Sequence, residues 1–82
     1  MIGIKIYSRH GCHLCEIAEK TARELQSTYG FSLEVEFIDG SETLEKEFGE
    51  KVPVTFINGQ PHDYWRIDRE RFIKAIETIN GD

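Results

Sequence analysis

Apolar and polar residues alternate from the start of the chain. Ile2, Ile4 and Ile6 alternate with Gly3, Lys5 and Tyr7, the period-two pattern of a strand, β1, from Ile2 to Tyr7. Ser8-Arg9-His10-Gly11 breaks the pattern as a loop. From about Cys12 to Thr28 the period lengthens into a helix, α1. Leu14, Ile17, Ala18, Thr21, Ala22, Leu25 and Tyr29 share one face, with Glu16, Glu19, Lys20, Arg23 and Glu24 opposite. Gly30 supplies the left-handed residue that ends it. Leu33, Val35 and Phe37 alternate with Glu34 and Glu36 as β2. Asp39-Gly40-Ser41 turns the chain, and Ser41 caps a short helix, α2, that runs to about Phe48 and closes at Gly49. Val54 to Ile57 forms β3. Asn58-Gly59 is the favoured pair for a type I′ hairpin turn. β4 then runs from Gln60 to about Tyr64, and Pro61, which cannot donate to a ladder, makes it an edge strand. The last helix, α3, starts near Asp68, carries Phe72, Ile73, Ala75, Ile76 and Ile79 on one face, and ends at Asn80-Gly81.

The order β1-α1-β2-α2-β3-β4-α3 predicts an α/β fold. Its first half has the length of a right-handed parallel crossover, and β3-β4 is an antiparallel hairpin. One mixed four-stranded sheet with helices on both faces uses every piece. With 82 residues and no repeat, linker or low-complexity segment, residues 1–82 read as one domain. A domain this size buries only about 60–65% of its unfolded surface, so it needs a well-ordered core.

A formal net charge of −5 argues against a nucleic-acid partner, which calls for a basic stripe to neutralise phosphates. No apolar run approaches the roughly 20 residues of a membrane span. The alternating start lacks the apolar stretch of a signal peptide. A cytoplasmic protein with no membrane partner is expected.

The two cysteines, Cys12 and Cys15, lie too close in sequence for a disulfide to be a strong staple, and reducing compartments disfavour permanent disulfides. Chemistry is the better reading. Cys12 falls where the loop after β1 meets α1, and a helix N-terminus favours an anion. The thiolate is the nucleophile. Arg9 adds positive charge nearby, and Gly11 keeps the approach to the sulfur open. Cys15, one helical turn further on, is within bonding reach and more buried. One thiol attacks and the other releases the mixed disulfide. Two other readings stay open. A metal or iron–sulfur module would use Cys12 and Cys15 with His10 or His13, a dimer completing the coordination. A non-enzymatic interaction domain would keep only the fold. Val52-Pro53, ahead of β3, is a second signal: a trans proline is ordinary at a strand's first residue, and a cis bond is the rarer, functional alternative.

The stretches Ile4 to Tyr7, Ser8-Arg9-His10-Gly11-Cys12-His13-Leu14-Cys15 and Val52-Pro53-Val54-Thr55-Phe56-Ile57-Asn58-Gly59 resemble the glutaredoxin-like branch of the thioredoxin superfamily. The resemblance implies a thioredoxin fold and a dithiol oxidoreductase, with a cis Pro53 packed beside Cys12. It implies that the Val52 backbone pairs in strand fashion with a bound thiol peptide such as glutathione, and that Arg9 contacts that peptide. It further implies a monomer with no bound cofactor or metal, with a disulfide-containing protein or glutathione as substrate and glutathione or a reductase as electron donor. Two departures stand out. His13-Leu14 replaces the Pro-Tyr type of pair between the cysteines. His62-Asp63-Tyr64-Trp65-Arg66-Ile67-Asp68 replaces a Gly-Gly pair before the last helix, and Tyr64 and Trp65 fall where the γ-glutamyl end of glutathione would lie. Thioredoxin reductase or another reductant then competes with glutathione as donor.

The remaining polar and aromatic residues carry paired readings. His10 and His13 flank Cys12 and are placed either to tune it and move protons or simply to face solvent. His62 reads as an exposed strand residue. Tyr7 ends β1 near the cysteines, lining the site or packing in the core. Tyr64 and Trp65 either cover the end of the sheet or form an aromatic docking surface. Arg66, Arg69 and Arg71 read as a solvated face before they read as an anion site.

Overall fold

The computed structural model describes residues 2–81. The seven elements follow the expected order: β1 Gly3–Ser8, α1 His13–Tyr29, β2 Ser32–Phe37, α2 Glu42–Phe48, β3 Val54–Ile57, β4 Gln60–Tyr64 and α3 Arg69–Asn80. The sheet order is β2-β1-β3-β4. β1 pairs parallel with β2, placing Ile4 beside Leu33 and Ile6 beside Val35. It pairs antiparallel with β3, placing Ile4 beside Ile57 and Ile6 beside Thr55. β4 is the outer strand on the β3 side, with an irregularity in register at Thr55/Phe56 where Phe56 meets Pro61. A proline is tolerated there because an edge strand leaves one row of N–H groups unused. Asn58 and Gly59 both have positive φ, 49° and 81°, as a type I′ turn requires.

The inner face of β1 packs against α1 and α3. Ile2, Ile4, Ile6, Ala22, Leu25, Phe31, Ile57, Phe72 and Ile76 form the larger core cluster. A smaller cluster of Cys15, Ile38, Phe48, Val52 and Val54, with Tyr7, Cys12, Leu44 and Phe56 against it, lies toward α2. Among the described residues no helix is long and apolar enough to cross a membrane.

Three expectations of burial are corrected, at the face of α1, at Ile79 and at His62, while the helices end at Gly30, Gly49 and Gly81 as expected. The buried row of α1 is Cys15, Ala18, Ala22 and Leu25, whereas Leu14 and Ile17 are 49% and 50% exposed. Each lies one residue, about 100° of helix rotation, off that row, and the narrow stripe of small residues is what lets α1 sit close to the sheet. Ile79 is likewise exposed, at the end of α3, one turn beyond the last deeply buried residue, Ile76. Gly49 and Gly81 close their helices in the right-handed region, at φ −50° and −76°, whereas Gly30 takes the left-handed cap at φ 66°. After Gly49 the chain keeps turning in the same sense, with Lys51 N–H donating to the Phe48 carbonyl at 2.8 Å. Finally, His62 is half-buried rather than exposed. Its ring stands edge-on to Phe72 at 6.0 Å between centroids, and its Nε2 is buried with no partner among the described residues. Burial, and then the Arg71 guanidinium, hold its pKa below the ordinary histidine value.

Candidate active site

The loop after β1 turns at Gly11, whose φ of 74° lies in the left-handed region that favours glycine. Cys12 N–H donates to the Arg9 carbonyl at 3.3 Å, closing that turn. Cys12 is the N-cap of α1 with extended backbone, and its Sγ accepts the Cys15 N–H at 3.2 Å. The sulfur thus occupies the position where a Ser or Asp oxygen caps other helices. Cys12 and Cys15 are joined as a disulfide, with Cα atoms 5.2 Å apart. Cys12 is half-buried, while Cys15 is 1% exposed. The two sulfurs are therefore unequal in access, and the accessible one receives a helix-start N–H.

The fold brings several of the named residues to this pair. The Val52–Pro53 bond is cis, and Val52 packs in the same cluster as Cys15, with Cys12 against it. The Val52 N–H is already engaged, donating to the Phe48 carbonyl at 3.1 Å. Among the described residues nothing donates to the Val52 carbonyl. Of the two backbone groups that strand-like pairing with a peptide would use, the acceptor is open and the donor is occupied. Tyr7 is a packing residue of this cluster. It stacks on Phe48 at 4.7 Å and 22° and meets Phe56 edge-on at 5.5 Å.

Other named residues are turned elsewhere. Arg9 donates from its guanidinium to the Gly49 carbonyl at 3.1 Å. His10 is stacked on Phe37, with ring centroids 4.2 Å apart and 8° between planes. Its backbone N–H and its Nδ1 both lie 3.0 Å from Asp39 Oδ2. The His10 backbone N–H is the main reason the Asp39 carboxyl sits below its ordinary pKa. Arg9 and His10 thus tie the cysteine loop to the end of α2 and to the β2–α2 turn. His13 is exposed. Among the described residues no group of three or more His, Cys, Asp or Glu side chains converges as metal ligands, so a metal held by Cys12 and Cys15 would need ligands from outside this set.

Trp65 has a more definite place at the site than the sequence indicates. It has φ 67°, an uncommon conformation for a bulky side chain. Its backbone N–H lies 2.8 Å from the Pro53 carbonyl and 3.2 Å from that of Lys51, and its indole Nε1 donates to the Glu50 carbonyl at 2.9 Å. The residue is nevertheless 56% exposed. Tyr64 lies tilted beside it at 6.1 Å, with the Lys51 ammonium 5.8 Å from the Tyr64 ring centroid. The only sequence signal for this turn is Asp63. Its two carboxylate oxygens accept the backbone N–H groups of Tyr64 and Asp68 at 3.1 and 3.2 Å, the local bonding by which Asp organises turns.

A four-stranded mixed sheet, a helix opened by a cysteine pair and a cis Val52–Pro53 bond ahead of β3 define a thioredoxin-fold dithiol protein. Residues 3–77 match the Glutaredoxin-like domain (DUF836), and the chain belongs to that family. It is 35% identical over 74 residues to the uncharacterized protein Rv0508 of Mycobacterium tuberculosis, covering 83% of this chain and 75% of that protein. It is similar to the solution structure of protein Ne2328 from Nitrosomonas europaea, with a TM-score of 0.78, 33% identity, and coverage of 90% of this chain and 89% of that one. Oxidized thioredoxin O2 from Arabidopsis thaliana shares the fold, with a TM-score of 0.68 at 19% identity over 96% of this chain and 75% of that one. The fold and its close cysteine pair support general disulfide oxidoreductase chemistry.

Proposed function

We propose that this protein reduces protein disulfides or glutathione mixed disulfides with the Cys12–Cys15 dithiol. The observation that carries the reading is the inequality of the two sulfurs. Cys12 caps the helix, receives the Cys15 N–H and is partly exposed, while Cys15 is buried behind it. In the reduced form the Cys12 thiolate attacks one sulfur of the substrate disulfide. The other substrate sulfur leaves as a thiolate and takes a proton from water. The Cys15 thiol then loses its proton and attacks the Cys12 sulfur, freeing the second substrate thiol. Two electrons pass to the substrate and the enzyme is left as the Cys12–Cys15 disulfide. An external thiol, either glutathione or the dithiol of a reductase, returns the two electrons. No bound cofactor enters this cycle. A monomer in a thiol-rich compartment such as the cytoplasm suffices.

Paired serine variants test it. Cys12→Ser is expected to abolish disulfide reduction. Cys15→Ser is expected to accumulate a mixed disulfide on Cys12, visible as a mass adduct that a small thiol removes. Full activity in Cys12→Ser would sink the reading.

A further inference from the structure

Trp65 combines three properties that rarely occur together. It is a large aromatic in the left-handed region, at φ 67°, where a bulky residue is a true outlier. It is held by backbone and indole hydrogen bonds to Glu50, Lys51 and Pro53, the residues on either side of Val52. And the residue is 56% exposed. An exposed tryptophan gains little folding stability from burial, while the strained backbone costs some of it. Strain that persists without a folding benefit points to function. The bonds also remove the ring's freedom before any partner arrives, the condition under which an aromatic contributes most to binding.

We propose that Trp65 is the specificity-determining residue of the dithiol site, forming with Tyr64 an aromatic shelf for one class of occupant. That occupant is an extended segment of a disulfide-bonded protein, with an apolar residue next to the reacting cysteine and an acidic residue beyond it. The proposal rests on the dithiol reading above. Three observations select this occupant. The open Val52 carbonyl accepts a backbone N–H, which an extended chain supplies. The Trp65 backbone N–H bonds the carbonyls of Lys51 and Pro53 on either side of Val52, so its ring and that of Tyr64, 6.1 Å away, offer an apolar surface carried on that segment. Lys51, whose ammonium lies 5.8 Å from the Tyr64 ring centroid, and Arg66, which follows Trp65 in the chain, offer positive charge to an acidic side chain in a protein of net charge −5. The Arg66 guanidinium is 75% exposed and only loosely paired, 3.9 Å from Asp68.

The test uses mixed disulfides of synthetic peptides in which the cysteine is followed by Leu-Glu in one and Ser-Lys in the other, with glutathione disulfide as a third substrate. Trp65→Gly removes the shelf and suits the left-handed backbone, and Trp65→Asn, also tolerant of that region, serves as a second variant. The wild-type protein is expected to show a kcat/KM about tenfold higher for the Leu-Glu peptide than for the other two, and both variants are expected to bring that ratio below about threefold, as losing an aromatic anchor does at interfaces. A wild-type ratio near one, a preference for glutathione disulfide, or a ratio that folded Gly and Asn variants leave intact would overturn the proposal. Wild-type exchange with bis(2-hydroxyethyl) disulfide is measured alongside. If the wild type fails even there, the oxidoreductase reading itself falls, an outcome distinct from a lost preference.

Discussion

The two apolar clusters of this molecule are built differently. The larger one, between the inner face of β1 and the helices α1 and α3, has only hydrocarbon side chains among its buried members, with Ile6, Phe72, Ala22 and Ile76 at 0% exposure. The smaller one contains Cys15 and Val52 among its buried residues and has the half-exposed Tyr7 and Cys12 on its border. A catalytic thiol must reach its substrate, so the cluster that holds it cannot close over completely. The domain resolves this by placing its densest packing away from the cysteines. The second cluster is left to fix positions.

The largest expected effect breaks that division directly. Phe72→Ala removes a 0%-exposed ring that meets Phe31 edge-on at 5.6 Å, and should cost about 3–5 kcal/mol. Against a total of about 5–15 kcal/mol for a typical domain, the denaturation midpoint should fall steeply. The folded fraction should still exchange disulfides at the wild-type rate. Phe48→Ala, in the smaller cluster, should cost less stability, about 2–3 kcal/mol. It should slow exchange, because the Phe48 ring stacks on Tyr7 and packs in the cluster that holds Cys15 and Val52. Urea melts together with exchange rates on both variants check this. Equal effects on rate would show that the two clusters do not divide the work.

A smaller effect comes from pH. His62 contacts the larger cluster through Phe72, and its folded pKa is depressed. The unfolded chain therefore binds the proton first as pH falls. The stabilisation from a neutral His62 is present above the ordinary histidine value, near 6.5, and is lost as pH drops through the depressed folded value. Asp39 acts in a lower window. Its depressed carboxyl stabilises the fold above the ordinary carboxylate range, and that contribution disappears as pH falls through the folded value. Urea midpoints measured from pH 7.5 to 5 should decline in the wild type. They should stay flatter in His62→Phe. An unchanged slope in the variant would show that His62 is not the group responsible.

Much of this division was legible in the chain. The alternation of Ile2, Ile4 and Ile6, the Asn58-Gly59 turn, Ser41 as a cap and Cys12 at the head of α1 are local signals, and local signals decide element type and order. The misses are all tertiary. Leu14 and Ile17 belong to an apolar stripe by sequence, but α1 packs against the rest of the domain through the neighbouring row from Cys15 to Leu25. His62 looked exposed because strand alternation does not reveal that α3 folds back over that face. The backbone N–H of Trp65 is held by carbonyls 12 and 14 residues earlier in the chain, outside the local run of sequence that forms the turn. The engagement of the Val52 N–H has the same character, depending on how tightly the chain turns after α2.

The smallest effect concerns a polar atom on the well-packed face. Thr55 lies in β3 beside Ile6 and is 0% exposed, and its Oγ1 has no hydrogen-bond partner among the described residues. A buried hydroxyl left unsatisfied costs about 1–3 kcal/mol. Valine has nearly the same shape and the β-branching that suits a strand. Thr55→Val should therefore raise stability by about 1 kcal/mol, seen as a thermal midpoint higher by about 4–8 °C for a domain of this size. Because the side chain shares the face of Ile6 rather than that of Tyr7 and Val54, exchange by the Cys12–Cys15 pair should not change. A fall in stability would mean that the hydroxyl has a partner, such as an internal water, and that the larger cluster is less purely apolar than its side chains indicate. A rise in stability accompanied by slower exchange would tie the two clusters together through β3 and contradict the division between them.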